Sequence, residues 1–118
     1  MNQGDIILVD FDPTKGREQA GYRPAVVISQ TAYNQKRNMV FICPITNSTR
    51  PLRFRVLLDD RTQIQGDVIC EQVRVIDLLA RKCKIIEQLP NDLLAQVLEA
   101  VSVIIEPENE RVLELQGG

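Results

Sequence analysis

The chain has 118 residues, of which 44% are hydrophobic and 25% charged, a composition typical of one soluble globular domain covering residues 1–118. No apolar run is long enough to cross a bilayer and the N-terminus lacks a signal-peptide pattern, so we expect a cytoplasmic protein with no membrane partner. The net charge of −2 gives no general attraction to nucleic acid, so any such role depends on how the charges are distributed.

Short apolar or alternating runs dominate the first three quarters of the chain and predict β-strands joined by turns. We expect a helical turn at Thr31–Asn38 and an end to the third strand at Pro44, because proline cannot extend a ladder. Strands so closely spaced predict a small antiparallel barrel. The predicted strands are Asp5–Phe11, Arg23–Ser29, Met39–Cys43, Arg53–Leu58 (an edge strand), Val68–Glu71, Val73–Asp77 and Lys84–Glu87.

The apolar period then changes to that of one helix face, from Leu93 to Ile105. Asn91 or Asp92 is expected to cap this helix and Pro107 to end it. The acidic tail, residues 106–118, is expected to be flexible. The fold class is therefore mainly β with a C-terminal α-helix. The helix has two adjoining apolar rows, and one of them could face a partner in a dimer.

Positive charge is concentrated in the segment from Pro13 to Arg55, which carries +7, whereas the rest of the chain carries −9. This asymmetry indicates a basic face that binds an anion such as RNA. The alternative is a set of solvated loops whose charges are neutralised by acids that fold nearby. The cations of the segment are Lys15, Arg17, Arg23, Lys36, Arg37, Arg50, Arg53 and Arg55, and its one acid is Glu18.

Two metal sites are conceivable from the sequence. The three cysteines, Cys43, Cys70 and Cys83, are far apart in a chain without histidine, so free thiols are favoured over a zinc site. Asp10 and Asp12 are spaced to share a strand face and could bind Mg²⁺, although Asp12 before a proline is an ordinary start of a turn. We therefore expect no metal and no cofactor.

The stretch from Lys15 to Ser29 leads from a polar loop into an apolar strand. Arg23 precedes Pro24, and a residue in that position is driven towards an extended conformation. A guanidinium at the start of a strand is well placed to bind a phosphate. The competing interpretation is an ordinary ion pair with a surface carboxylate.

Several motifs together resemble the MazF toxin family, also called PemK-like. The strongest are residues 9–16 (VDFDPTKG), 18–21 (EQAG) and 23–27 (RPAVV). Pro44-Ile45-Thr46 resembles a second signature, and weaker similarity continues through residues 66–68 and 72–73. The resemblance covers about residues 3–105 and implies an SH3-like or CcdB-like barrel with a C-terminal helix.

The resemblance also implies a function. Members are toxins of bacterial type II toxin–antitoxin systems that form homodimers and cut single-stranded RNA, including mRNA, at short sequences without a metal. Their partner is a MazE-like antitoxin with a flexible, acidic C-terminal segment. By position the catalytic residues are Arg23, Thr46 and Glu18. The RNA-binding candidates are the polar and basic residues around them, namely Lys15, Arg17, Gln19, Asn47, Ser48, Arg50, Arg53 and Arg55.

Metal-free cleavage by the 2′-hydroxyl needs a base, an acid for the leaving 5′-oxygen and a donor that stabilises the phosphorane. Arg23 suits the third role, and Thr46 can hydrogen-bond a phosphate oxygen or the 2′-hydroxyl. Glu18 could be the base, or it could only pair with Arg17 or Arg23, because nearby arginines weaken a carboxylate as a base.

Two non-catalytic functions compete with RNA cleavage. One is a CcdB-like gyrase poison built on the same barrel, although this chain lacks tryptophan and ends in Glu-Leu-Gln-Gly-Gly. The other is a binding barrel without activity. Cleavage of RNA in the presence of EDTA would separate both from an RNA-cleaving toxin.

Overall fold

The computed structural model describes residues 1–11, 21–47 and 54–115. The described strands are antiparallel and precede a long C-terminal helix, which confirms the predicted fold class. No helix within these ranges is long and apolar enough to cross a membrane. The elements in chain order are β1 (Asp5–Asp10), β2 (Tyr22–Val27), α1 (Thr31–Arg37), β3 (Met39–Thr46), β4 (Arg55–Leu57), β5 (Asp67–Ile69), β6 (Arg74–Asp77), β7 (Cys83–Gln88), α2 (Asn91–Ile105) and α3 (Arg111–Leu115).

The strands follow the order β4-β5-β3-β2-β1-β7, and β6 also pairs with β3. β3 is the longest of the described strands, and two short strands share one of its edges. β6 pairs with its first half, up to Ile42, and β5 pairs with its last two residues, Ile45 and Thr46. β4 lies at the end of the sheet, as predicted for an edge strand.

β3 continues through Pro44, so the prediction that this proline ends the strand is wrong. Pro44 lies opposite Ala25 of β2. The Phe41 carbonyl accepts the N–H of Ile28, so alternation directs the backbone nitrogen of Pro44 to the other edge of β3. Along that edge the partner changes from β6 to β5 around Pro44, so the described ladder loses no bond there.

The two ends of the sheet, β4 and β7, are brought together by a side chain. Glu87 of β7 reaches the loop between β4 and β5, where its carboxylate accepts the backbone N–H groups of Gln63 and Ile64 at 2.9 and 2.8 Å. α2 packs across the same region, because Val97 contacts the core cluster that includes Val56 of β4. These contacts give the sheet its barrel-like form.

Two buried clusters lie on opposite faces of β1, β2 and β3, as strand alternation requires. We call them the helix-side core and the far-side core. The helix-side core contains Ile6, Val26, Cys43 and Ile45 together with residues of α2. The far-side core consists of Ile7, Val9, Ala25, Val27, Val40, Ile42 and Ile76, with Met1, Phe11, Leu78 and Cys83 packed against it.

The predicted helix is present but begins differently. Pro90 occupies the N-cap position without a side-chain cap, so neither Asn91 nor Asp92 caps the helix as predicted. The Asp92 carboxylate instead binds the Arg61 guanidinium, with both N–O distances 2.9 Å. That contact ties the start of α2 to the loop between β4 and β5.

The apolar stripe of α2 is buried only along its first three turns. Leu93, Val97 and Val101 are buried, whereas Ile105 is 75% exposed. The tail predicted to be flexible contains the short helix α3, whose Arg111 pairs with Glu99 and Glu106. Flexibility of residues 106–118 stays a prediction.

Candidate functional site

Arg23 is the second residue of β2 and is exposed. It lies opposite Val9 of β1, and Val9 and Ala25 both belong to the far-side core. Strand alternation therefore places Arg23 on the far-side face, at its solvent edge. Among the described residues no carboxylate forms an ion pair with Arg23, so the competing interpretation of an ordinary surface pair gains no support from them.

Thr46 is the last residue of β3 and is half-buried. Ala25 of β2 pairs with Pro44 of β3, and continuing this register by two residues places Thr46 opposite Arg23. Thr46 lies on the same face as Ile42, which belongs to the far-side core. The fold thus brings the strand positions of Arg23 and Thr46 together on one face.

The start of β5 supports the end of β3. Asp67 lies opposite Thr46 in the ladder, and Gly66 before it has a φ of 126°. A Cβ on Gly66 would lie 2.4 Å from the Thr46 carbonyl oxygen and 2.9 Å from Oδ1 of Asn47. Only a residue without a side chain fits there, because both the backbone conformation and the close approach exclude one.

Arg55 is the other described member of the predicted RNA-binding set, besides the exposed Asn47. It begins β4, and its Nη1 lies 2.9 Å from Oδ2 of Asp67. Arg55 therefore forms an ion pair with a nearby acid, and its role in RNA binding stays a prediction. The remaining predicted site residues lie outside the described ranges: Lys15, Arg17, Glu18, Gln19, Ser48, Arg50 and Arg53.

Two arginines near the far-side face were not predicted from the sequence, because they follow the basic segment. Arg74 lies opposite Ile42, and its guanidinium carbon is 4.5 Å from the centre of the Phe11 ring. Arg81 lies over the same ring at 5.9 Å and donates to the Asp10 carbonyl at 3.3 Å. The alternation of charged and apolar residues in β6 was the available signal, since it places Arg74 on one face with the buried Ile76.

The cysteines do not assemble into a metal site. All three are free thiols, as predicted. Cys43 and Cys70 lie in the helix-side core, whereas Cys83 packs against the far-side core. Burial, reinforced by the neighbouring Cys70, raises the pKa of the Cys43 thiol to about 12, and burial raises the pKa of Cys70 to about 11.

The conceivable Mg²⁺ pair is only partly described. Asp10 ends β1 and is half-buried, whereas Asp12 lies outside the described ranges. Within residues 1–11, 21–47 and 54–115, no three Cys, Asp or Glu side chains are close enough to share a metal ion.

Comparison with known proteins yields consistent matches. The family model described as "PemK-like, MazF-like toxin of type II toxin-antitoxin system" matches residues 2–105. Endoribonuclease PemK of Escherichia coli is 37% identical over 109 residues, which span 89% of this chain and 82% of the relative. Endoribonuclease toxin MazF of E. coli K12 is 45% identical over 80 residues, or 68% of this chain and 71% of the relative.

A solved structure shares the fold. The crystal structure of MazE-MazF (Form-II) from Deinococcus radiodurans matches with a TM-score of 0.78 and 25% identity, covering 92% of this chain and 97% of that one. The family match covers far more than half of the chain, and PemK exceeds 30% identity over most of both proteins. The chain therefore belongs to the PemK-like, MazF-like toxin family of type II toxin–antitoxin systems.

Proposed function

We propose that this protein is an endoribonuclease toxin that cleaves single-stranded RNA, including mRNA, in the cytoplasm and thereby inhibits translation. The observation that carries the proposal is that Arg23 of β2 and Thr46 of β3 lie on one face of the sheet, in a chain whose relatives are named endoribonucleases. The relatives give no support to the gyrase-poison alternative.

The proposed chemistry is attack of the 2′-hydroxyl on the adjacent phosphorus, which forms a 2′,3′-cyclic phosphate and expels the 5′-oxygen. The 5′-oxygen leaves as a hydroxyl when a general acid gives it a proton. Arg23 stabilises the added negative charge on the phosphorane, because a guanidinium can bind two oxygens at once. The Thr46 hydroxyl orients the phosphate or the 2′-hydroxyl by hydrogen bonding. Glu18 is proposed as the base that takes the 2′-hydroxyl proton.

We propose that the far-side face also binds the rest of the RNA. Arg74 and Arg81 stand over Phe11, at the end of the strand that pairs with β2. Cations next to an aromatic ring provide both phosphate contacts and a stacking surface for an unpaired base. Binding should therefore weaken steeply as salt rises, because each phosphate contact releases counterions.

A cognate antitoxin is the proposed protein partner. The similar Deinococcus structure is a complex of MazE with MazF. A flexible acidic segment of such an antitoxin would compete with RNA for the same cations, Arg23 among them. Titrating an antitoxin peptide into labelled RNA bound to the Arg23→Ala protein tests this. RNA should leave as the peptide binds, whereas undiminished RNA affinity would show that inhibition acts elsewhere.

A homodimer is proposed on an open apolar groove of about 650 Å³ next to α2. The side chain of Ile105 in this groove is 75% exposed, which continues the apolar stripe of α2 beyond the core. A second copy would cover this surface. Light scattering should give a dimer mass that Ile105→Asp lowers, and a concentration-independent monomer would refute the dimer. The groove is lined by Ile28, Ser29, Gln30, Tyr33, Phe41, Val73, Val101 and Ile105.

Cleavage of a single-stranded RNA in EDTA is the test of the enzymatic proposal. The unaltered protein should produce discrete fragments, and sequencing their ends would give the cleavage sequence. Arg23→Ala should remove activity and leave the fold intact, because Arg23 is exposed. Arg61→Ala is the matched control, since Arg61 is an exposed arginine bound to Asp59 and Asp92 at the start of α2. Equal activity of Arg23→Ala and Arg61→Ala would contradict the proposal.

A further inference from the structure

Asp67, Arg55 and Thr46 share one face of the three-stranded part of the sheet. Val68 of β5 pairs with both Ile45 and Val56, and all three belong to the helix-side core. Their strand neighbours therefore point to the opposite face, where Asp67 lies between Thr46 of β3 and Leu57 of β4.

Arg55 of β4 forms a diagonal ion pair with Asp67 of the adjacent strand β5. Arg55 and Leu57 are two residues apart in β4 and so share a face, and Leu57 is directly opposite Asp67. The Nη1 atom of Arg55 lies 2.9 Å from Oδ2 of Asp67. Adjacent strands are about 4.8 Å apart, so this contact draws the cation towards β3 and the position of Thr46.

A carboxylate at this position is unexpected on a surface that binds RNA. Asp67 is the neighbour of Thr46, and an uncompensated negative charge there would repel a phosphate. The Asp67 side chain is only 15% exposed, so its charge is poorly screened by water. Partly exposed ion pairs generally add little to folding stability, so stability alone does not explain the pair.

We infer that Asp67 is a positioning residue for RNA binding: its carboxylate holds the Arg55 guanidinium beside Thr46, where Arg55 binds a phosphate neighbouring the one that is cut. This inference rests on the proposed endoribonuclease function. The space next to Gly66 agrees with this close pairing of Asp67 with the end of β3, because a Cβ added there would lie 2.4 Å from the Thr46 carbonyl oxygen.

Asp67→Asn distinguishes positioning from simple electrostatics, because the two explanations predict opposite changes in RNA affinity. The substitution removes a negative charge close to the RNA, so electrostatics alone would strengthen binding. Loss of positioning would instead release Arg55 and weaken binding. Asp92→Asn is the matched control, because Asp92 also loses an arginine partner, Arg61, but lies at the start of α2.

The experiment measures binding of a labelled single-stranded RNA on the Arg23→Ala background, and cleavage of the same RNA with Arg23 intact. Asp67→Asn should weaken binding and raise KM about five- to tenfold with a smaller change in kcat. The slope of log affinity against log salt should fall by about 0.7, the value for one phosphate contact with a single strand. Unchanged or tighter binding by Asp67→Asn would overturn the inference.

A charge swap provides a second test that does not depend on whether Asp67→Asn folds. In Arg55→Asp/Asp67→Arg the pair can re-form, but the guanidinium now originates from β5. We expect thermal stability to recover and RNA affinity to stay low. Recovery of both would show that the guanidinium need not originate from β4, which would overturn the inference. Failure of the unaltered protein to cut RNA would instead refute the proposed function, so the two failures are distinguishable.

Discussion

Gly66→Ala should damage activity more than stability, because the added methyl group would press on the backbone of Thr46, a proposed catalytic residue. The new Cβ would lie 2.4 Å from the Thr46 carbonyl oxygen, about 1 Å inside van der Waals contact, and a displacement of that size at a reacting group costs on the order of 100-fold in rate. The φ of 126° adds strain of about 1–3 kcal/mol for a residue with a side chain.

Gly4→Ala is the matched control for this substitution. Gly4 also has a positive φ, 94°, but its Cβ would meet Cδ2 of Leu94 at 3.0 Å, the far end of a flexible side chain. Both variants should therefore lose stability in urea unfolding, whereas only Gly66→Ala should lose cleavage activity under conditions where it is folded. Full activity of folded Gly66→Ala, or equal loss in both variants, would refute the coupling between Gly66 and Thr46.

Three further outcomes follow from the described residues. Thr46→Ser should retain part of the cleavage activity and Thr46→Ala should lose it; equally inactive variants would show that the hydroxyl is not the reason. Cys43 and Cys70 should resist a thiol reagent at pH 8 in the folded protein, because burial raises their pKa values to about 12 and 11, and rapid labelling would contradict that. Arg61 lowers the pKa of Asp92 below its unfolded value, so this contribution to stability is present above about pH 4 and is lost on further acidification; Arg61→Gln should reduce the acid dependence of the Tm, and an unchanged profile would contradict this.

Local patterns were sufficient for most of the fold. The alternating and apolar runs identified every described strand, and the helical period identified α2. The error at Pro44 arose because the rule against proline in strands is local, whereas its exception depends on which strands share the edge of β3. The wrong prediction of a cap for α2 has a similar origin. The Asp92 side chain binds Arg61, which lies in a loop about thirty residues earlier in the chain.

The candidate site was predictable only in part. The position of Arg23 followed from Pro24 and the family motifs, and the register agrees with a common face for Arg23 and Thr46. The Arg74–Phe11 contact was not predictable, because it joins residues far apart in sequence and depends on the pairing of β6 with β3. The Arg55–Asp67 pair likewise required the register of β4 on β5.

Arg23 and Thr46 are proposed to promote cleavage of RNA by its own 2′-hydroxyl. The most direct test incubates the protein in EDTA with a single-stranded RNA and with the same strand carrying one 2′-deoxy nucleotide at the cleavage position. The all-RNA strand should be cut to leave a 5′-hydroxyl on the downstream fragment, and the substituted strand should stay intact. Cutting of the 2′-deoxy strand at that position would show that the 2′-hydroxyl is not the nucleophile.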